Sequence, residues 1–156
     1  LRAQLPEQFG HFRSVAALTP GVLGTTGVES AELVRAMTDR LRPDAVIVVD
    51  ALACAEFDRL GRTVQLTDTG ITPGSGVGND RAGLDRTTLG VPVAAIGLPT
   101  VIDAGSLTDD PRAEQMFVTP RDIDAVVRDA AKLIGYGIDL ALHDGLTVAE
   151  LDLLLS

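Results

Sequence analysis

The sequence predicts an α/β fold, specifically a three-layer α/β/α sandwich around a mostly parallel sheet. Short apolar runs, above all residues 46–53 and 91–96, have the character of strands buried on both faces, as in a parallel sheet. Segments with helical periodicity alternate with those runs. The composition is 46% apolar but only 3% aromatic, with no Trp, so the core is built from Val, Leu, Ile and Ala. A length of 156 residues suits one domain with a sizeable core.

Taken in order, residues 1–12 read as irregular, and residues 14–18 as a strand ending at Thr19-Pro20-Gly21. Thr26-Gly27-Val28-Glu29 has the spacing of a capping box and opens a helix. Leu33, Val34, Met37 and Leu41 form its apolar face, and Pro43 stops it. The strand of residues 46–53 follows at once and carries Asp50 towards its C-terminal end. Residues 63–67 alternate weakly, as a further strand would. Residues 68–80 are a polar, glycine-dense loop, and residues 81–88 give a helical turn or two. The strand of residues 91–96 is closed by Gly97-Leu98-Pro99-Thr100.

Residues 103–115 are polar and contain Asp109-Asp110-Pro111, a loop or an excision point. Thr119-Pro120-Arg121-Asp122 starts a second long helix, with Pro at its first position. That helix runs to about His143, with Ile123, Val126, Val127, Ala130, Leu133 and Ile134 inward. Gly135 and Gly137 weaken it or allow close backbone approach. Thr147-Val148-Ala149-Glu150 opens a short terminal helix. There is no internal repeat.

Charge and cysteine content narrow the function. A formal net charge of −9 argues against non-specific nucleic-acid binding, which needs clustered Lys and Arg. The single cysteine, Cys54, excludes an intrachain disulfide framework and agrees with a reducing compartment. No run approaches the ~18 apolar residues of a membrane helix. Leu1-Arg2-Ala3-Gln4 lacks both an initiator Met and a signal-peptide apolar region, which fits a processed product or part of something longer.

Asp50 is the first candidate for chemistry. A carboxylate at the end of a buried strand is partly desolvated, which raises its pKa. A second facing carboxylate would let the pair share one proton and act as acid and base on a water. The same Asp can instead cap the turn that follows by accepting backbone N–H bonds. Asp68-Thr69-Gly70 spells the triplet of pepsin-like and retroviral aspartic proteases, but those are all-β folds. An Asx-turn into a glycine loop explains the triplet, with Asp68 as a supporting residue of the site.

Gly74-Ser75-Gly76-Val77-Gly78 invites a nucleotide reading, but the dinucleotide fingerprint needs Gly where Asn79 stands. Tight turns account for these glycines. Ser75 lacks the flanking spacing of a nucleophile elbow. His11 and His143 are too far apart in sequence for ligand spacing, and a lone Cys54 is most simply a small buried hydrophobe. No metal or other cofactor is expected.

Several collinear stretches carry a resemblance. These are Pro20-Gly21-Val22-Leu23-Gly24-Thr25-Thr26-Gly27-Val28-Glu29, Asp50-Ala51-Leu52-Ala53, Asp68 to Asn79, Leu89-Gly90-Val91-Pro92-Val93, Ile96 to Ala104, and Met116 to Asp124. In that order they resemble the spore germination protease family. The resemblance implies an endopeptidase that degrades the small acid-soluble proteins coating spore DNA. It implies a zymogen trimmed at its N-terminus, a homotetramer, and a cytoplasmic location in the forespore or spore core, with no direct nucleic-acid or membrane partner.

The resemblance also implies an α/β fold similar to the hydrogenase maturation proteases, and an aspartic-acid-like mechanism with two Asp residues and a water. Asp50 matches one of the two by its Val-Asp-Ala-Leu-Ala context. Asp68, Thr69, Gly70, Gly74, Ser75, Gly76 and Asn79 would shape or support the substrate cleft. The other Asp belongs to a Gly-Asn…Thr-Pro-Asp-Ala-Leu-Gly segment that these 156 residues do not contain, so they hold half of the acid pair and are expected to be inactive alone. Residues 104–115 stand where the family carries a longer insertion. Two alternatives remain: a non-catalytic fragment or homologue acting as an assembly scaffold, and a small-molecule or metal-binding α/β module.

Overall fold

The computed structural model describes residues 4–74 and 82–155. The chain divides into two compact units, Leu18–Ile123 on the one hand and Leu1–Ala17 with Asp124–Ser156 on the other.

The larger unit holds a four-stranded sheet. Strand β1 (Val46–Cys54) runs parallel to β3 (Val93–Asp103), paired from Val46 with Val93 to Cys54 with Ile102. Strand β2 (Gln65–Thr67) lies antiparallel on the other edge of β3, with Gln65 opposite Gly97. Farther along β3, the two-residue β4 (Phe117–Val118) pairs antiparallel with Ile102 and Asp103. The long parallel pair dominates, and the class is α/β as the sequence predicts.

Both main strands outrun their expected ends. Gly97-Leu98-Pro99-Thr100 does not close β3 but lies inside it, because β1 supplies ladder partners past Asp50. Asp50 is accordingly the middle residue of a nine-residue strand, not its terminal one. Register slips between Leu52 and Ala53, which pair with Pro99 and Val101, leaving Thr100 as the extra residue of a β-bulge. A bulge is one of the few places where a sheet interior accepts a proline, which has no N–H for the ladder.

Helix α3 (Ser30–Leu41) covers one face of the sheet. The expected capping box does not form. Thr26 belongs to the single turn α2 (Leu23–Thr26), and its Oγ1 accepts the Val28 N–H at 3.2 Å; Glu29 is the N-cap of α3 and makes no side-chain cap bond. The packed face is also offset. Ala31 and Val34 meet the core and Thr38 is buried, whereas Met37 (39% exposed) and Leu41 (51%) face solvent. Thr38 is tolerated inside because its hydroxyl donates to Val34 O at 2.8 Å. At the C-terminus Arg42 adopts φ 49° and Pro43 prevents continuation, as expected.

The core under α3 is aliphatic. Leu84, Leu89 and Val93 are buried against Ala31, Val34, Val46, Val48, Ile71 and Val91. Leu89 ends the short α4 (Arg86–Leu89), which starts on a complete capping box between Asp85 and Thr88. The polar stretch after β3 is not a plain loop. It folds into two 3₁₀ turns, Ala104–Ser106 and Pro111–Gln115, each opened by an Asp side chain accepting a backbone N–H.

In the smaller unit, Pro6–Phe9 form one helical turn, α1, where irregular chain is expected. Residues 14–17 are not a strand, and neither is Leu18 of the larger unit. Helix α5 (Ile123–Leu142) begins three residues after Pro120, whose carbonyl accepts the Ile123 N–H. Its half-buried stripe is Ile123, Val126, Ala130 and Ile134, a regular i, i+3, i+4 series. Val127 (42%) and Leu133 (65%) fall outside that stripe and are exposed. Among the described residues, nothing stands within 4 Å of a Cβ built on Gly135 or Gly137. Helix α6 (Val148–Leu155) starts on the expected capping box: Glu150 accepts from both Thr147 N–H and Oγ1–H at 2.8 Å, and Thr147 Oγ1 accepts the Glu150 N–H at 3.3 Å.

Candidate active site

Alternation along β1 decides where Asp50 goes. Val46, Val48, Asp50 and Leu52 share the half-buried face, while Ile47, Val49 and Ala51 are exposed on the other. Val46 and Val48 pack into the core under α3, but Asp50 and Leu52 lie beyond that cluster, nearer the carboxyl end of the strand. The core-facing side of β1 therefore carries a half-buried carboxylate beyond the aliphatic cluster. Asp50 Oδ1 accepts the N–H of Ala51 at 2.9 Å, a local bond that orients the carboxyl group.

Gly97 stands opposite Asp50 in the ladder. A Cβ built on Gly97 would meet Leu52 Cδ1 at 2.3 Å and Cγ at 2.7 Å. The Leu52 side chain thus lies across the Gly97 backbone, beside Asp50. Neither residue is marked by a sequence motif as a pair. The contact becomes visible only once the strand register is known.

Strand order keeps Asp68 from joining them. Gln65 and Asp50 flank Gly97 on opposite sides, two strand spacings or about 10 Å apart. From Gln65 the antiparallel β2 runs back towards the start of β1, so Thr67 is already level with Val48. The Asp68-Thr69-Gly70 triplet makes a turn there. It is a hydroxyl turn rather than an Asx-turn: Thr67 Oγ1 accepts the Thr69 N–H at 3.1 Å and lies 2.7 Å from Thr69 Oγ1. Gly70 has φ +89°, and a Cβ there would be 2.4 Å from Leu84 O. Ile71 and Leu84 then exchange backbone hydrogen bonds at 3.0 and 2.7 Å, which seats the base of the loop on the core. Gly74 (φ +74°) turns the chain, while Ser75, Gly76 and Asn79 lie outside the described residues.

The remaining reactive side chains are engaged elsewhere. The Cys54 thiol donates to Val101 O at 3.6 Å. His143 Nδ1 accepts the Arg13 N–H at 3.3 Å, and its ring stacks on Phe12 at 4.5 Å, while His11 packs edge-on to Phe12. Among the described residues no three His, Cys, Asp or Glu side chains are grouped as metal ligands would be. No described helix is long and apolar enough to cross a membrane. An open groove of about 380 Å³ lies along α5 and α6, lined by Lys132, Tyr136, Asp139 and Asp152 among others, and holds none of the site residues.

The family model of the germination protease matches residues 3–112, which include β1, β3 and Asp50. The chain belongs to the germination protease family. Germination protease of Caldanaerobacter subterraneus subsp. tengcongensis is 39% identical over 196 aligned positions, covering 99% of this chain and 60% of that relative. The Clostridium tetani germination protease is 33% identical over 193 positions. That of Geobacillus sp. is 52% identical over 99 residues, or 64% of this chain and 27% of the relative. The chain spans about three-fifths of the length of the first two of these germination proteases. Their alignments are longer than its 156 residues, so both carry extra residues inside the matched span.

Proposed function

We propose that this chain is the core of an endopeptidase of germination, and that Asp50 activates the water that attacks the peptide bond. The supporting observation is the family match over residues 3–112, which contains Asp50, half-buried on β1 beyond the aliphatic cluster. A carboxylate there takes a proton from water as the oxygen attacks the carbonyl carbon. A second acid then protonates the departing amide nitrogen. The resemblance assigns that second acid to the Gly-Asn…Thr-Pro-Asp-Ala-Leu-Gly segment. These 156 residues hold one half of the pair and are inactive alone on this reading.

The substrates that fit are the small acid-soluble proteins that coat spore DNA, degraded in the spore core by a homotetramer matured from a zymogen. The relatives' shared name, germination protease, supports a protein substrate and the timing. Replacing Asp50 by Asn in the complete protein removes the base but keeps the shape. Cleavage of a purified small acid-soluble spore protein, followed by gel densitometry, is expected to slow by at least about 100-fold. Unchanged cleavage by a normally folded Asp50→Asn protein would discard the role of Asp50.

A further inference from the structure

We infer that Leu52 is a specificity-determining residue of this site, forming the wall against which the substrate side chain next to the cleaved bond packs. Gly97 is the seat that keeps it there. The inference rests on the assignment of Asp50 above, and it adds what that assignment lacks, a basis for choosing among peptides.

Asp50 and Leu52 project from the same face of β1, two residues or about 6.6 Å apart along the strand. The side chain flanking a scissile carbonyl starts within a few ångströms of it and, at the size of Leu or Phe, extends far enough to reach a residue two positions along the strand from Asp50. Leu52 is half-buried, apolar and outside the core cluster, so part of its surface is available to a ligand. Its Cδ1 occupies the space in which a Cβ on Gly97 would stand, at 2.3 Å. Gly97 is itself buried and is the ladder partner of Asp50. The β-bulge begins immediately after Leu52, ending the regular ladder on the side away from Asp50. A site of this kind selects by size, and a few methylenes in an apolar pocket are worth about 10- to 200-fold in discrimination.

The two positions give opposite expectations. Leu52→Ala removes the wall and enlarges the subsite. Gly97→Ala places a methyl group on the seat, which drives the Leu52 side chain off it and narrows the subsite. The double variant removes the clash and returns to the behaviour of Leu52→Ala. The test uses the complete protein with internally quenched peptides that share one cleaved bond, mapped by mass spectrometry, and carry Ala, Leu or Phe on either side of it.

Leu52→Ala is expected to raise the Phe-to-Ala ratio of kcat/KM by about 10-fold at one flanking position, and Gly97→Ala to lower it. The pH profile is expected to stay that of the parent, since neither change removes an acid. The volume-conserving Leu52→Met, which folds where Ala does not, shifts the ratio measurably but by less. Ratios unmoved in all three single variants, with Asp50→Asn inactive on every peptide, would overturn the role of Leu52 and leave Asp50 in place. An active Asp50→Asn protein would remove the premise and the inference together.

Discussion

At Gly70 the backbone asks for something only one residue provides. Its φ of +89° is a region L side chains rarely adopt, and Leu84 O stands 2.4 Å from where a Cβ would be. That obstacle is backbone, so it cannot rotate aside. Gly70→Ala is expected to lower stability by at least about 2 kcal/mol, read from the shift in a urea unfolding curve. Gly97 poses a different case, because its obstacle is the Leu52 side chain, Cγ as well as Cδ1, and not backbone. Substitution there is expected to alter selectivity more than stability. Asp50 is a third kind of residue, whose type was legible in its apolar setting but whose neighbours were not. A half-buried carboxylate oriented by the Ala51 N–H is a group held for chemistry or for capping, and loss of cleavage in Asp50→Asn separates the two.

At the scale of elements, the start of α6 shows how a capping box makes helix stability depend on pH. The hydroxyl and N–H of Thr147 donate to Glu150 and hold its carboxyl below its ordinary value of 4.5. Asp152 is held below its ordinary value by the Tyr136 hydroxyl at 2.5 Å and then by Lys132 Nζ at 3.1 Å, bonds that tie α6 to α5. Both folded-state values are depressed. The stabilisation is therefore complete above the unfolded values near 4 and is lost as pH falls through the folded ones. Tyr136 has the reverse sign. Its hydroxyl is pushed above 10 chiefly by the bond to Asp152, so its contribution holds below 10 and is lost as pH rises through the folded value. Glu150→Gln is expected to unfold earlier than the parent in urea at pH 7, with the gap closing towards pH 3. A gap independent of pH would mean the box contributes nothing through its charge.

Across the whole molecule, the excess of acidic over basic side chains predicts little affinity for nucleic acid. In fluorescence anisotropy at physiological salt, a duplex DNA probe is expected to show a Kd weaker than about 10⁻⁴ M, the weak limit of non-specific binding by basic proteins. Saturable binding at micromolar protein would refute this. The same scale shows what was legible. The apolar runs announced β1 and β3, Pro43 marked the end of α3, and the Thr147/Glu150 spacing marked the start of α6, because each depends on residues close in sequence. The failures share one cause. Residues 14–18 are not in a strand, Met37 and Leu41 miss the core, and Gly97 to Thr100 stay in β3 because β1 lies beside them. None of these outcomes is decided by neighbours in the chain.

Local chemistry alone determined that this chain is an α/β protein with an aliphatic core and a carboxylate on its most apolar strand. Its collinear motifs determined the germination protease resemblance. Tertiary structure decided that Asp50 lies mid-strand opposite Gly97, that Leu52 leans over that glycine, and that the Asp68 turn is carried back towards the start of β1. The physical reason is that periodicity specifies which face a side chain takes. Which residues meet on that face depends on strand order and register, and those are set by pairing between segments roughly 30 to 50 residues apart.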